Sequence, residues 1–329
     1  MILLEAVKTS SLYGKRRTNS SQTLNTRKKI DSVVQDLVHD YAQAIEHATH
    51  SERVSPSRVL YLRPSQLPFC PISFFINHAS KGMYRSLDLA GALYVNMGTV
   101  VHSVLQRYLT KSGKILGDYK CHECGTFHKF SYKTECCDFP TEYFELEIDY
   151  KGIHGHIDAV YRYKGSLFIL DFKTTSVDSA SKKKKDPGVT YREQIETYAY
   201  LFELQYREPI AGIMDAFIIR DNPNKEPVVW FRTFTDKTRA EVKKRLIRYK
   251  RMHREALDAA NAKEARALLD YGRCANEYCD FCNSWKSDSY VKNKMDEAIR
   301  VGLASKNMPI RGLAERALAK ERKRKNGAT

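Results

Sequence analysis

Two Lys-Gly dipeptides, Lys151-Gly152 and Lys164-Gly165, join three consecutive strand-like runs at 142–150, 153–163 and 166–174. A two-residue connection ending in glycine is the sequence mark of a tight hairpin, and it leaves one register for the strands it joins. That register places Asp158 directly opposite Asp171, and Glu145 directly opposite Asp158. Three carboxylates then form a row on one face, with neighbouring Cβ atoms about 5 Å apart. Alternation puts Lys173 on the same face, two positions beyond Asp171. The other face, Ile157, Ala159 and Tyr161 against Phe168, Leu170 and Phe172, reads as core.

Like charges facing each other across a sheet are destabilising unless something neutralises them. Carboxylate oxygens at this spacing suit a hard divalent cation, Mg²⁺ or Mn²⁺. A single acid of this kind is more often a solvated surface group. Three in a row with an in-line lysine indicate a site.

The chain around this row is long enough, at 329 residues, for about two domain-sized units. Residues 1–30 contain Ser, Thr, Asn, Lys and Arg with Glu5 the one acid, which describes a flexible basic tail. An acid-poor start of this kind also fits an organelle transit peptide, and a mitochondrial matrix location is the alternative to a cytoplasmic one. Apolar residues at helical spacing predict a helix over 31–50 (Val34, Leu37, Val38, Tyr41, Ile45). A second helix is expected from the N-cap Ser65, carrying Cys70, and a third from Tyr94 to Thr110, carrying His102. Residues 118–140 interrupt the pattern as a cysteine-rich insertion. A basic loop, Lys182, Lys183, Lys184 and Lys185, precedes a helix over 189–206; strands at 210–220 and 228–235 and a charged helix from Asp236 to Leu269 follow. Residues 284–329 read as a helical basic C-terminal tail, leaving 31–283 as the principal domain.

Lys and Arg number 55 against 39 Asp and Glu, a net charge of +16. Such an excess favours a polyanion, nucleic acid or an anionic membrane surface. No apolar run approaches a membrane-spanning length, and the basic residues lack an amphipathic partner face, so a membrane is not expected as partner. Glu5 interrupts the apolar start Met1-Ile-Leu-Leu, so no secretory signal and no export are expected.

Eight cysteines in a chain without an export signal point to metal rather than disulfides. They divide into Cys121, Cys124, Cys136 and Cys137, and Cys70 with Cys274, Cys279 and Cys282. Thiolates alone suit zinc or iron–sulfur chemistry. Cys121-His-Glu-Cys124-Gly is a half-site for tetrahedral structural zinc. Adjacent Cys136 and Cys137 make a weaker second half, for which His122 or His128 could substitute.

The motifs in order resemble the RecB-type branch of the PD-(D/E)XK nucleases. They are Gly98-Thr-Val-Val-His102, Gly155-His-Ile-Asp158, Asp171-Phe-Lys173, and Gln194 with Tyr198 four positions on. Cys70, in Leu67-Pro-Phe-Cys-Pro, matches the upstream cysteine of the iron–sulfur members, among them the CRISPR-associated RecB-like nucleases. The resemblance covers 65–283. It implies an α/β core, a mixed central sheet flanked by helices, with the zinc-type insertion and an iron–sulfur clasp. It further implies a cation held by His102, Asp158, Asp171 and the Phe172 carbonyl, with Lys173 positioning and helping to deprotonate water. Gln194 and Tyr198 would orient Lys173 or the DNA. A [4Fe–4S] cluster would sit on Cys70, Cys274, Cys279 and Cys282, although the family's usual C-x2-C spacing differs from the C-x4-C-x2-C found here.

The expected activity is metal-dependent DNA exonuclease, on single-stranded or end-opened DNA, in recombination, repair or phage DNA metabolism. Helicase, recombinase or single-strand-binding proteins are the implied partners, and Lys182–Lys185 the implied phosphate contacts. The alternatives are a structure-specific or nicking endonuclease using the same residues, and a non-catalytic DNA-binding subunit of a helicase–nuclease. The intact Asp171-x-Lys173 argues against the latter.

Overall fold

The computed structural model describes residues 61–74, 89–222 and 224–258, with 274–276, Cys279, Cys282 and isolated helical positions towards both ends. The chain divides into two compact units, Met1–Thr49 and His50–Thr329. In the first, Gln35, Asp36 and His39 are helical, inside the stretch where periodicity predicts a helix; the basic tail 1–30 lies outside the described residues.

The second unit contains a 3-10 turn at Pro64–Gln66, then α1 (Leu89–Thr110), β1 (Ile115–Lys120), β2 (Phe127–Ser131), β3 (Glu135–Cys136), β4 (Phe139–Pro140) and β5 (Glu142–Phe144). It continues with β6 (Leu146–Tyr150), β7 (Ile153–Ile157), β8 (Ala159–Tyr163), β9 (Ser166–Thr175), α2 (Val177–Lys185) and α3 (Val189–Tyr206). It ends with β10 (Ile210–Ile219), β11 (Val228–Thr233) and α4 (Asp236–Asp258). The main sheet runs β11-β10-β9-β8-β1-β2, with β5 also on β1. β9 and β10 are parallel, joined across α2 and α3, and the neighbouring pairs are antiparallel, so the sheet is mixed.

Both Lys-Gly turns form as their spacing predicts. Lys151 and Gly152 have φ of 50° and 78°, and Lys164 and Gly165 of 47° and 81°, the paired positive angles of a type I′ turn. Register follows: Leu146 faces Ile157, Tyr150 faces Ile153, Ala159 faces Leu170 and Tyr163 faces Ser166. The three runs are nevertheless not one continuous sheet. The first divides into β5, on β1, and β6; the second breaks at Asp158 into β7, paired with β6 in a separate two-stranded sheet, and β8, in the main sheet.

Both faces of the central strands of the main sheet are buried. Ile115, Ala159, Leu170, Phe172 and Ala216 pack under Leu105 and Leu109 of α1. Val160, Leu167, Ile169 and Ile213 pack under α3 and α4, through Ile195, Tyr198, Phe202, Val242 and Leu246. The acid-bearing face is therefore the second core rather than an open polar surface. On α3 the buried set Ile195, Tyr198, Ala199 and Phe202 recurs at helical spacing. Arg232 and Arg245 both bond Glu196, at 2.6 and 3.0 Å, and the Tyr249 hydroxyl donates to Glu193 at 2.9 Å. Arg245 of the charged helix thus turns inward.

Two expected elements change. No helix starts at Ser65, which lies inside the 3-10 turn; Pro68 and Pro71 interrupt the segment, and a helical turn begins only at Pro71, whose missing N–H costs nothing there. Lys182–Lys185 are the last turn of α2, not a loop, where positive side chains complement the helix carbonyl end. The charged helix after β11 is described to Asp258. Beyond it, Leu303, Ala314 and Leu318 pack on the larger core, so part of the basic C-terminal segment is anchored.

Gly155 is explained by close approach. A Cβ there would stand 2.9 Å from the Tyr198 hydroxyl, 3.0 Å from its ring and 3.2 Å from Pro64. Tyr198 is buried, so it cannot swing away. Gly155→Ala should lower the urea-unfolding stability by about 1–3 kcal/mol through overpacking, and Tyr198→Phe in that background should recover part of the loss. An unchanged unfolding midpoint would contradict this packing.

His253 on α4 lies between Phe69 and Phe74, at ring distances of 5.6 and 4.7 Å. Burial and then the Lys250 charge push its pKa down to about 4. The unfolded chain takes up this proton near pH 6.5, so the stability tied to neutral His253 is complete above that pH and drains towards pH 4. The loss should reach roughly 1–3 kcal/mol, and His253→Leu should show a flatter dependence of the urea midpoint across this window. Parallel profiles for the two proteins would rule the effect out.

Candidate active site

The break at Asp158 builds the site. Where the β8–β9 ladder ends, the Asp158 side chain takes the acceptor position: its Oδ2 receives the Phe172 N–H at 2.8 Å. The same oxygen lies 3.4 Å from His102 Nδ1 of α1. His102 also meets the Phe172 backbone and the edge of its ring, at 5.8 Å between centroids. α1 therefore brings its histidine over the end of β8.

Asp171 projects from β9 to the opposite, α3-covered side and is 2% exposed. Lys173 Nζ pairs with Asp171 Oδ2, and Gln194 donates to Oδ1 at 3.2 Å. Tyr198, one helical turn further, touches Gly155 rather than Lys173. Of the two α3 residues expected to orient the site, Gln194 bonds Asp171, and Tyr198 packs beneath with Asp171, Asp158 and Glu145 near enough for their charges to act on its hydroxyl. Glu145 accepts 2.6 Å from Gln106 Nε2, whose amide also donates to the Asp158 carbonyl at 2.9 Å. The Tyr143 hydroxyl donates to that same carbonyl at 3.1 Å. Gly98 has no described atom within 4 Å of a would-be Cβ, so packing does not require a glycine there.

The electrostatics record an excess of negative charge. Burial, then the Asp171 charge, push the Asp158 carboxyl well above the usual carboxylate range. Burial alone would lower Lys173, but Asp171, Asp158 and Asp215 outweigh it and raise its pKa. Held charged, the ammonium is suited to an anionic oxygen. His102 is lowered, by burial and then by Lys173, which leaves the imidazole neutral and able to ligate. Carboxylates, one lysine and a neutral imidazole are donors of the kind a hard divalent cation takes, and Asp158, Asp171 and His102 would supply them, although their ligand atoms do not all lie within 4.8 Å of one another.

Three participants were not evident from the sequence. Gln106 lies four residues after His102, hence on the same helix face. Tyr143 holds the bend from the β5 side. Asp215, the sole acid in the otherwise apolar Ile210–Ile219, pairs with Asp171 across the parallel ladder and is fully buried. An isolated acid in such a run was the available signal.

Of the basic run, Lys182, Lys184 and Lys185 are exposed. Lys183 is not: its Nζ donates to the Pro187 carbonyl at 2.7 Å and lies 4.8 Å from the Tyr191 ring centroid.

Both cysteine quartets assemble, each with its four Sγ atoms within 4.8 Å of one another. Cys70 and Cys282 are 3.8 Å apart, and the Ser73 and Cys274 N–H groups point at their sulfurs at 3.4 and 3.5 Å. In the insertion, Cys124 lies 3.8 Å from Cys136 and Cys136 3.9 Å from Cys137. Positive φ at Cys137 and Asp138, 53° and 65°, lets both neighbouring thiols turn to one point. His122 instead meets Glu142 at 3.1 Å. Separations of this size match the edge, about 3.8 Å, of a tetrahedron with 2.3 Å metal–sulfur bonds. Both quartets fit a single thiolate-bound ion as they stand.

Among the described residues, no helix is long and apolar enough to cross a membrane. No curated protein matches the sequence. A solved structure titled "Crystal structure of SSO0001" is similar over 67% of this chain and 88% of its own, at 14% identity and a TM-score of 0.37. The sequence model of the PD-(D/E)XK nuclease superfamily matches residues 124–286, the stretch that holds Asp158, Asp171, Lys173 and Gln194. That stretch of the chain is a PD-(D/E)XK nuclease superfamily domain.

Proposed function

We propose that this chain is a metal-dependent DNA exonuclease working on single-stranded or end-opened DNA. The observation that carries this reading is two pairs at the β8–β9 break, beneath a helix, His102 with Asp158 and Asp171 with Lys173, near enough that the Asp171 and Lys173 charges act on both Asp158 and His102. A divalent cation bound there would supply a low-pKa water and offset charge on the phosphoryl group. His102, Asp158 and Asp171 would hold it. The Lys173 ammonium lies against the scissile phosphate's non-bridging oxygens, where added charge appears in the transition state. Gln194 keeps Asp171 aimed, and Gln106 fixes Glu145 and the Asp158 backbone. The placement of α1 over the carboxylates supports threading a strand rather than straddling a duplex. The exposed Lys182, Lys184 and Lys185 supply salt-sensitive phosphate contacts. A role in recombination, repair or phage DNA metabolism, in the cytoplasm and beside a helicase, recombinase or single-strand-binding protein, rests on the resemblance.

With Mg²⁺ or Mn²⁺, linear single-stranded DNA should be degraded while the circular and supercoiled forms persist. Loss of circles at the linear rate would make the enzyme an endonuclease. Asp158→Asn and Lys173→Ala should each reduce cleavage by at least about a hundredfold while filter-binding affinity for DNA changes little. Full cleavage by Lys173→Ala would remove Lys173 from the chemistry.

Each cysteine quartet, on this reading, holds one structural ion of the zinc type, with all four positions taken and none left for substrate. Protein purified without oxygen should be colourless and contain two zinc equivalents by elemental analysis. Brown protein with iron and acid-labile sulfide would restore a cluster at Cys70, Cys274, Cys279 and Cys282. Cys279→Ser should reduce soluble yield more than specific activity, since its quartet joins distant parts of the chain.

A further inference from the structure

Asp215 acts on Lys173 through its charge and touches none of the site's groups by a hydrogen bond: it is fully buried, and neither carboxylate oxygen has a hydrogen-bond partner among the described residues. Its neighbours identify what it faces. It is the ladder partner of Asp171, on the same side of the sheet, and the charges acting on it are those of Asp171, Lys173, Asp158 and Lys183. A buried carboxylate without a partner is costly to keep, and proteins pair such groups or neutralise them.

Lys173 has the complementary difficulty. Its Nζ is committed to Asp171 Oδ2, on a carboxylate that a cation held by Asp158 and Asp171 would also use. The arriving cation takes those lone pairs and repels the ammonium, so Lys173 needs a second acceptor. Lys173 pairs with Phe217, two residues beyond Asp215 on the adjoining strand, so the two side chains are diagonal neighbours on one face. A flexible four-carbon stem covers that distance.

We propose that Asp215 is a positioning residue: when a divalent cation occupies Asp158 and Asp171, Asp215 accepts the Lys173 ammonium and holds it beside the phosphate. The proposal rests on the cation site of the preceding section, and the experiment separates the two. Mn²⁺ binding to the full chain, without DNA, is measured by titration calorimetry and by the electron paramagnetic resonance of free Mn²⁺. The proteins are wild type, Asp158→Asn, Asp215→Asn, two backgrounds lacking the ammonium (Lys173→Met and Lys173→Gln), and Asp215→Asn in each of these. Thermal melts establish which are folded.

Asp158→Asn should abolish specific Mn²⁺ binding. Asp215→Asn should weaken binding about tenfold where Lys173 is present and less than twofold where it is absent, because no ammonium then has to be rehoused. Equal weakening with and without Lys173 would make Asp215 a direct ligand and overturn the proposal, as would no weakening at all. Unchanged binding in Asp158→Asn would overturn the cation site itself and the proposal with it.

Discussion

One hydrogen bond organises this molecule, that from the Phe172 N–H to the Asp158 carboxylate. At Asp158 the chain leaves the β6–β7 hairpin and enters the main sheet. A break there would strand a buried amide, and the side chain that satisfies it is a carboxylate. Fold and chemistry thus share an atom group: the acid that closes the ladder also faces His102 and the Asp171–Lys173 pair. The neighbouring constraints serve this point. Gln106 and Tyr143 grip the Asp158 carbonyl, and Gly155 leaves room for Tyr198 under the incoming strand.

The parts readable from sequence were those set by local geometry. Each Lys-Gly turn permits one register, so the pairing of Ala159 with Leu170 and of Leu146 with Ile157, next to the acids, follows from counting. The break of 153–163 into two strands did not, because it depends on β9 on one side and β6 on the other, which no local pattern encodes. Asp215 escaped for a related reason. Its alignment with Asp171 arises from a parallel pairing across two helices, where connection length leaves register open. The lysine run was misread as a loop because charge runs carry little conformational signal, whereas α2 forms from its packing near β10 and β11. Cys136 and Cys137 converge through left-handed backbone at Cys137 and Asp138, which residue identity alone does not announce.

The acidic cluster shows a trade between stability and readiness. Asp158 and Asp215 are held in surroundings that oppose their charge, while Lys173 answers several carboxylates at once. A core built for stability alone would replace such a group with apolar side chains of similar volume. Its retention in the middle of a packed sheet marks the place where the fold gives up stability for chemistry.

Cys70 and Cys282 stand 212 positions apart in the chain and 3.8 Å apart in space. An ion shared by their quartet makes the intervening polypeptide a ring, with both cores threaded on it. Ring closure restricts the unfolded chain, and the effect grows only with the logarithm of circumference, so insertions around the ring weaken it little. A cut at the exposed Asn224–Lys225 turn would open the ring into a line whose two parts remain bound through the ion. The nicked protein would then come apart with a chelator rather than with dilution.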